Sequence, residues 1–316
     1  MPAKTAVVAI GGNSLIKNPR HQTVSDQYLA AHETTVHVVS MVAHGWNVIV
    51  SHGNGPQVGF VLRRSELAAH ELHEVPLDVC GADTQGAIGY ALAQNLQNEM
   101  RRRGIERPVA ALVTQCEVNG EDPAFASPSK PIGSFMTEAE AKRRQAEDGW
   151  VVIEDANRGW RRVVASPRPL RIVELDSIKT LVDVGVVVVA VGGGGIPVVR
   201  NDAGDLEGVA AVIDKDLASS LLAQRLGADL FLIATAVEKV ALGFGTPAQQ
   251  WVDKLSLAQA RRYLAEGGHF AKGSMAPKIQ AVIEYLEDGG GEALITDPEH
   301  IEPALEGQTG TRFTVC

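Results

Sequence analysis

Lys215 stands between Asp214 and Asp216 where the pattern predicts a helix start, and Lys278 follows Pro277 in the first turn of another predicted helix. A helix dipole disfavours cations at that end unless an anion is bound there. Three apolar runs also stop at glycines: Ala6 to Ile10 at Gly11 and Gly12, Asn47 to Val50 just before the loop holding Gly53 and Gly55, and Val186 to Val191 at Gly192 to Gly195. Buried strands ending in bare loops bring backbone N–H groups close to a ligand, and such groups bind phosphate without charged side chains. Lysines and glycine loops together fit phosphoryl transfer, in which the protein positions the groups and neutralises the spreading negative charge. Each feature also has a plainer reading. A lone glycine turn is as often geometric as functional, and a lysine beside carboxylates suits a solvated surface.

Competing chemistries find little support. There is no G-x-x-x-x-G-K-[ST] run and no G-x-S-x-G elbow. The Gly192 run meets Pro197 where a dinucleotide fingerprint needs its third glycine. His70 and His73 have helical spacing beside Glu66 and Glu74, which suits a solvated helix face unless a wider ligand set joins them. His52, inside the second glycine loop, reads either as a base or as a packing residue. Cys80, Cys116 and Cys316 are widely spaced and form no zinc or disulfide pattern, which fits a reducing compartment.

The formal net charge of −9 argues against a nucleic-acid or membrane-surface partner, which would need a basic face. No apolar run approaches the roughly 18 residues of a membrane span, and no charged-then-apolar signal opens the chain, so the expectation is a soluble cytoplasmic protein. With aromatics at only 5%, aliphatic side chains must fill the core.

The elements that must position these residues alternate. Unpatterned β-branched runs such as Val186 to Val191 suit strands covered on both faces, as in a parallel sheet. Helices are expected from Ser25, as cap, to Ala43; from Asp83 to Arg103; from Ser177 to Val184; from Asp214 to Leu226; and from Pro277 to Asp288. Further strands are expected at Val109 to Val113, Leu230 to Ala234 and Glu292 to Thr296, with a loop after Ala234 running to Ser256, which pairs with Gln259 as a capping box. Between Glu117 and Pro167 the alternation lapses into prolines, a short helix opened by Thr137 and Glu140, and a hairpin-like VVIEDANRGWRRVV. This stretch reads as a small inserted subdomain or lid, with Lys130 in a Ser129 to Gly133 turn able to reach a site.

The motifs carrying these residues resemble those of carbamate kinase, in the amino acid kinase superfamily. They are AIGGN at Ala9 to Asn13, SHGNGPQVG at Ser51 to Gly59, PLDVCGA at Pro76 to Ala82, DPAF and SKPIG within Asp122 to Gly133, GGGGIPV at Gly192 to Val198, VIDKDLAS at Val212 to Ser219, VEKV, GHFA-x-GSM-x-PK, and EGQTGTR at Glu306 to Arg312. The resemblance spans essentially the whole chain. It implies an α/β fold class, a three-layer α/β/α sandwich with a central mainly parallel sheet and a small protruding subdomain, and a homodimer. Residues 1–210, including the 117–167 subdomain, would form the acceptor half and 211–316 the nucleotide half. The implied reaction is reversible transfer between ATP and carbamate, giving ADP and carbamoyl phosphate, with Mg2+ accompanying the nucleotide and no fixed protein ligands for it. The alternatives are a kinase for another small carboxylate or carbamate-like acceptor, or a regulator of the same fold that binds without turnover.

By matching position, the resemblance assigns Lys215, Lys278 and Lys130 to the transferring phosphoryl group and Asp216 to orienting the lysines. Gly11, Gly12, Asn13, Gly53, Asn54, Gly55, Gly193 and Gly194 would line the acceptor site, and Asp214, Thr235, Ala236, Val237, Lys272, Gly273 and Met275 the nucleotide. The chain departs from the family pattern at Ala236, where aspartate is common, at Lys272 and Ala276, where proline and glycine are usual, and at Ser134 and Met136, which replace proline and tyrosine.

Overall fold

Ala6 to Ile10 are wholly shielded from solvent, and they form the body of the strand at the middle of the main sheet. The computed structural model describes residues 3–12, 15–16, 20–21, 23–154, 159–271 and 273–316, with the side chain of residue 134 left aside. Its elements begin with β1 (Thr5–Ile10), α1 (Val24–Ala43), β2 (Asn47–His52), α2 (Gly55–Ala68), α3 (Leu77–Arg102), β3 (Val109–Ala111), β4 (Gln115–Val118) and α4 (Pro123–Ala126). The inserted region supplies β5 (Lys130–Met136), α5 (Glu138–Asp148), β6 (Val151–Glu154) and β7 (Trp160–Val164). Then come β8 (Pro169–Ile172), α6 (Leu175–Asp183), β9 (Val187–Val189), β10 (Ile196–Arg200), β11 (Leu206–Gly208), α7 (Lys215–Leu226) and β12 (Leu230–Ala234). The remaining elements are β13 (Val240–Leu242), β14 (Gln250–Val252), β15 (Lys254–Ser256), α8 (Leu257–Glu266), α9 (Met275–Glu287), β16 (Glu292–Thr296), α10 (Ile301–Leu305) and β17 (Thr311–Thr314).

Eight strands form the central sheet in the order β15-β17-β16-β12-β1-β2-β9-β3. The six from β16 to β3 run parallel; next to them β17 turns antiparallel to β16, and β15, parallel to β17, forms the edge. Because successive strand residues point to opposite faces, β1 feeds two cores. Val7 and Ala9 pack with residues of α6, α7 and α9, while Ala6, Val8 and Ile10 pack with α1, α3 and α10. The result is the expected three-layer α/β/α arrangement. Among the described residues three smaller sheets stand outside it: β11-β10-β4-β8, the pair β13-β14, and the antiparallel β5-β7-β6, which carries α5 and packs on α2.

Several boundaries move for identifiable reasons. Thr23, not Ser25, caps α1, because its hydroxyl and the Asp26 carboxylate bond reciprocally to each other's backbone. Helix α3 begins six residues before Asp83, at Leu77, since Leu77 and Cys80 are buried and fix its first turns despite Gly81. Helix α9 begins at Met275, two residues before Pro277. The expected loop before Ser256 contains β13 and β14, a hairpin of three-residue strands too short for alternation to show. The Ser256 and Gln259 capping box forms as expected.

Candidate active site

Four strands of the central sheet, β1, β2, β9 and β12, end at one cleft of about 450 Å³. Three helices start there: α2, α7 and α9 supply Gly55, Lys215 and Lys278 to its lining. A helix N-terminus carries unpaired N–H groups and the positive end of the dipole, so their convergence favours an anion.

Asp216 organises the charges. It is buried, with one carboxylate oxygen accepting from Lys215 Nζ and the other from Lys278 Nζ at 2.9 Å. Burial alone would raise its carboxyl pKa, but the two ammonium groups override that and hold it well below the usual carboxylate range. Lys215 is pushed below the ordinary lysine value by burial, opposed by Asp216 and reinforced by the nearby Lys278 charge. Two like charges are thus held together with N–H donors to spare, which is an unfavourable arrangement that a phosphoryl group relieves.

Local structure fixes these side chains. Asp214 caps α7, its Oδ1 accepting from the N–H groups of Asp216 at 2.9 Å and Leu217 at 3.4 Å. Its Oδ2 accepts from Lys130 Nζ at 2.7 Å, so the three-stranded sheet reaches into the cleft. Ser51 donates to Ser219 at 2.5 Å, and Ser219 donates to the Lys215 carbonyl at 2.6 Å, which ties the end of β2 to the first turn of α7.

Glycines close the walls. The Gly11 and Gly53 N–H groups are spent on the carbonyls of Ala234 and Ile10, both at 2.9 Å, so these two residues contribute shape rather than donors. A Cβ on Gly192 would lie 2.2 Å from His52 Nε2, and one on Gly193, at φ 68°, would lie 2.3 Å from Asn54 Nδ2. No larger residue fits either position. His52 is therefore a packing residue: it is buried, it bonds through Nδ1 to the Gly53 carbonyl at 3.1 Å, and it is absent from the cleft lining. Burial, with help from the Lys215 charge, lowers its pKa to about 4.

Of the expected site residues, Gly11, Gly12, Gly53, Asn54, Gly55, Lys130, Gly193, Asp214, Lys215, Asp216, Thr235, Ala236, Val237, Gly273, Met275 and Lys278 line this one cleft. Gly194 instead faces the Ile213 carbonyl. Asn13 and Lys272 lie outside the described residues. Sequence reading missed Thr84 and Gln85. Thr84 accepts from Asn54 Nδ2 at 2.8 Å, and Gln85 donates to the carbonyls of Gly192 and Thr114. Their only signal is polarity on the buried face of α3. Also missed was an apolar recess of about 100 Å³ that shares Val237, Ser274 and Met275 with the cleft and is walled by Phe244, Trp251 and Phe270.

Residues 4–297 match the model of the amino acid kinase family. The chain belongs to that family. It is 50% identical over 310 residues to the carbamate kinase-like protein YahI of Escherichia coli (strain K12), covering 97% of this chain and 98% of that protein. It is 46% identical over 313 residues to the carbamate kinase of Thermococcus kodakarensis, covering 98% of each. Among solved structures, carbamate kinase from Giardia lamblia bound to AMP-PNP superposes with a TM-score of 0.92 at 39% identity, covering 99% of this chain and 98% of that one. The chain is accordingly an ATP-dependent kinase of the amino acid kinase family, grouping with the carbamate kinases.

Among the described residues, no three His, Cys, Asp or Glu side chains come together as a metal site. The cleft's two carboxylates, Asp214 and Asp216, are both engaged by lysines. This donor set fits a divalent cation held mainly by nucleotide phosphates. No described helix is long and apolar enough to cross a membrane.

Proposed function

We propose that the chain catalyses reversible phosphoryl transfer between ATP and carbamate, giving ADP and carbamoyl phosphate. The observation that carries this is Asp216 binding Lys215 and Lys278 with one oxygen each, beside three helix N-termini. A carbamate oxygen attacks the γ-phosphorus while the bond to the β–γ bridging oxygen breaks, and the bridging oxygen's electrons leave with ADP. Carbamate is already an anion near neutral pH, so the reaction needs positioning and charge neutralisation rather than a strong base. Lys215 and Lys278 take up the charge growing on the transferring oxygens, and Asp216 orients them. Lys130 approaches from the small sheet.

In this reading residues 1–210 hold the acceptor and residues 211–316 the nucleotide. Gly12, Asn54 and Gly55, which line the cleft, would face the acceptor, and the apolar recess at Trp251 would take the adenine base. Mg2+ arrives with the nucleotide and supplies further neutralisation of its phosphates. The described cleft lining holds neither His nor Cys, and its aspartates are ion-paired, which favours direct in-line transfer over a phosphoenzyme. A homodimer in the cytoplasm belongs to the same proposal.

The test is to incubate the purified protein with ADP, Mg2+ and carbamoyl phosphate and to measure ATP. ATP should form at a rate that K215A reduces at least about 100-fold, as removal of one transition-state donor does. Absence of ATP with ADP binding intact would overturn carbamate as the acceptor.

A further inference from the structure

Further along β5 from Lys130, a second pocket of about 200 Å³ opens between α2 and the three-stranded sheet. The contact there is intimate, because a Cβ on Gly59 of α2 would fall 2.4 Å from the Gly133 Cα. Three guanidinium groups face this space: Arg63 from α2, Arg144 from α5 and Arg162 from β7.

Their pairing is incomplete. Arg63 bonds to Glu66 at 3.3 Å and Arg144 to Asp148 at 2.8 Å, with a longer ion pair from Arg144 to Glu66 at 4.0 Å. Arg162 has only a long ion pair to Glu66, at 3.9 Å, and no hydrogen-bond acceptor among the described residues. Arg144 Nε is buried without a partner. Both guanidiniums lie over the Trp150 ring, at 5.0 Å for Arg144 and 4.7 Å for Arg162, so the indole braces them in a fixed plane. An unsatisfied donor in a shielded place costs free energy, and a planar guanidinium fork matches a carboxylate.

The remaining lining defines the ligand. Leu62, Ile132 and Met136 add apolar wall, whereas Glu66, largely buried and within 4.0 Å of each of the three guanidiniums, and Glu140 oppose a dianion. A cavity of roughly 150 Å³ accepts a benzene-sized molecule. We propose that this pocket binds a small organic monocarboxylate with an apolar body, its carboxylate on Arg162 and Arg144 and its body against Trp150 and Met136. Such a ligand would bridge the main body and the small sheet at a site separate from the cleft, although Ile132 borders both.

The probe is benzoate, titrated calorimetrically into the full-length protein beside benzamide, its neutral counterpart, and inorganic phosphate, an anion without an apolar body. Benzoate should bind saturably with a Kd at or below about 1 mM, and the other two at least tenfold more weakly. Arg162→Gln should weaken benzoate at least tenfold. If that variant does not fold, Met136→Glu, which sets a charge against the ligand's body, should abolish binding. The proposal is overturned if benzoate shows no saturable binding, if phosphate or benzamide binds equally well, or if the folded variants bind benzoate like the wild type. None of these readouts involves phosphoryl transfer, so the outcome is independent of the kinase assignment.

Discussion

Lys130 Nζ lies 2.7 Å from Asp214 Oδ2, so the small sheet is pinned to the residue that caps α7. One carboxylate thus serves two purposes: an oxygen for the helix start and an oxygen for the incoming lysine. Separate consequences follow for the two partners. K130A should lower kcat/KM about 100-fold, or roughly 2.7 kcal/mol of transition-state stabilisation. Its stability should change by less than about 1 kcal/mol, because a single, partly exposed ion pair contributes little. D214A should also lose about 1 kcal/mol of stability with the helix cap. Steady-state kinetics and urea denaturation of both variants and the double variant check this, and the kinetic effects should fall well short of additive.

Asp216 binds two lysines and should matter in a different way. D216N keeps the shape but leaves two buried ammonium groups without their counter-charge, at a cost of about 3–5 kcal/mol in denaturant unfolding. Lys215 then loses the partner that supports its protonation, so its pKa falls further. Since the reaction needs the cation, activity lost at high pH in the wild type should be lost at lower pH in D216N. A kcat profile between pH 6 and 10 reads this shift, which a purely structural defect would not produce.

Trp251 is an exposed residue of β14 beside the apolar recess. If the adenine base packs there, W251A should raise the KM for ATP about tenfold with kcat little changed, as expected for about 1.4 kcal/mol of binding common to ground and transition states. An unchanged KM would remove the recess from the nucleotide site.

Legibility in the sequence follows the range of the interaction involved. Strand β12 is readable to its end residues because an unbroken apolar run sets it, and β16 because Glu292 and Thr296 bracket the apolar Ala293 to Ile295. Asp214 and Gly227 marked the ends of α7 through local capping chemistry. The lysines stand out by their position at helix starts, yet spacing alone favours a solvated surface for them. Their common partner is what distinguishes them, and Lys278 lies 62 residues from Asp216. The Ser51 and Ser219 bond spans 168 residues, and neither serine has a local pattern to betray it. Gln85 reaches the Gly192 carbonyl across 107 residues from within a helix whose glycines had obscured its start. Contacts of this length exist only once the sheet order is fixed.

His52 gives the last prediction, one of stability rather than catalysis. Its pKa falls from the ordinary 6.5 to about 4 on burial, so between those values the unfolded chain binds a proton that the native state excludes. Stability therefore rises with pH across that window and is lost as pH falls through it. Asp216 has the depressed carboxylate pattern, with a contribution fully present above its unfolded value near 4 and lost only below that. The two titrations separate, and between pH 7 and 5 His52 dominates this pair. Its share of the loss over that interval is about 2 kcal/mol. Denaturant unfolding of wild type and H52Q at both pH values measures it. H52Q should be less stable at pH 7, because the ring packs against Gly192, but its stability should fall less on acidification by about 2 kcal/mol. Equal pH dependence in the two proteins would mean that His52 does not keep its neutral, buried state.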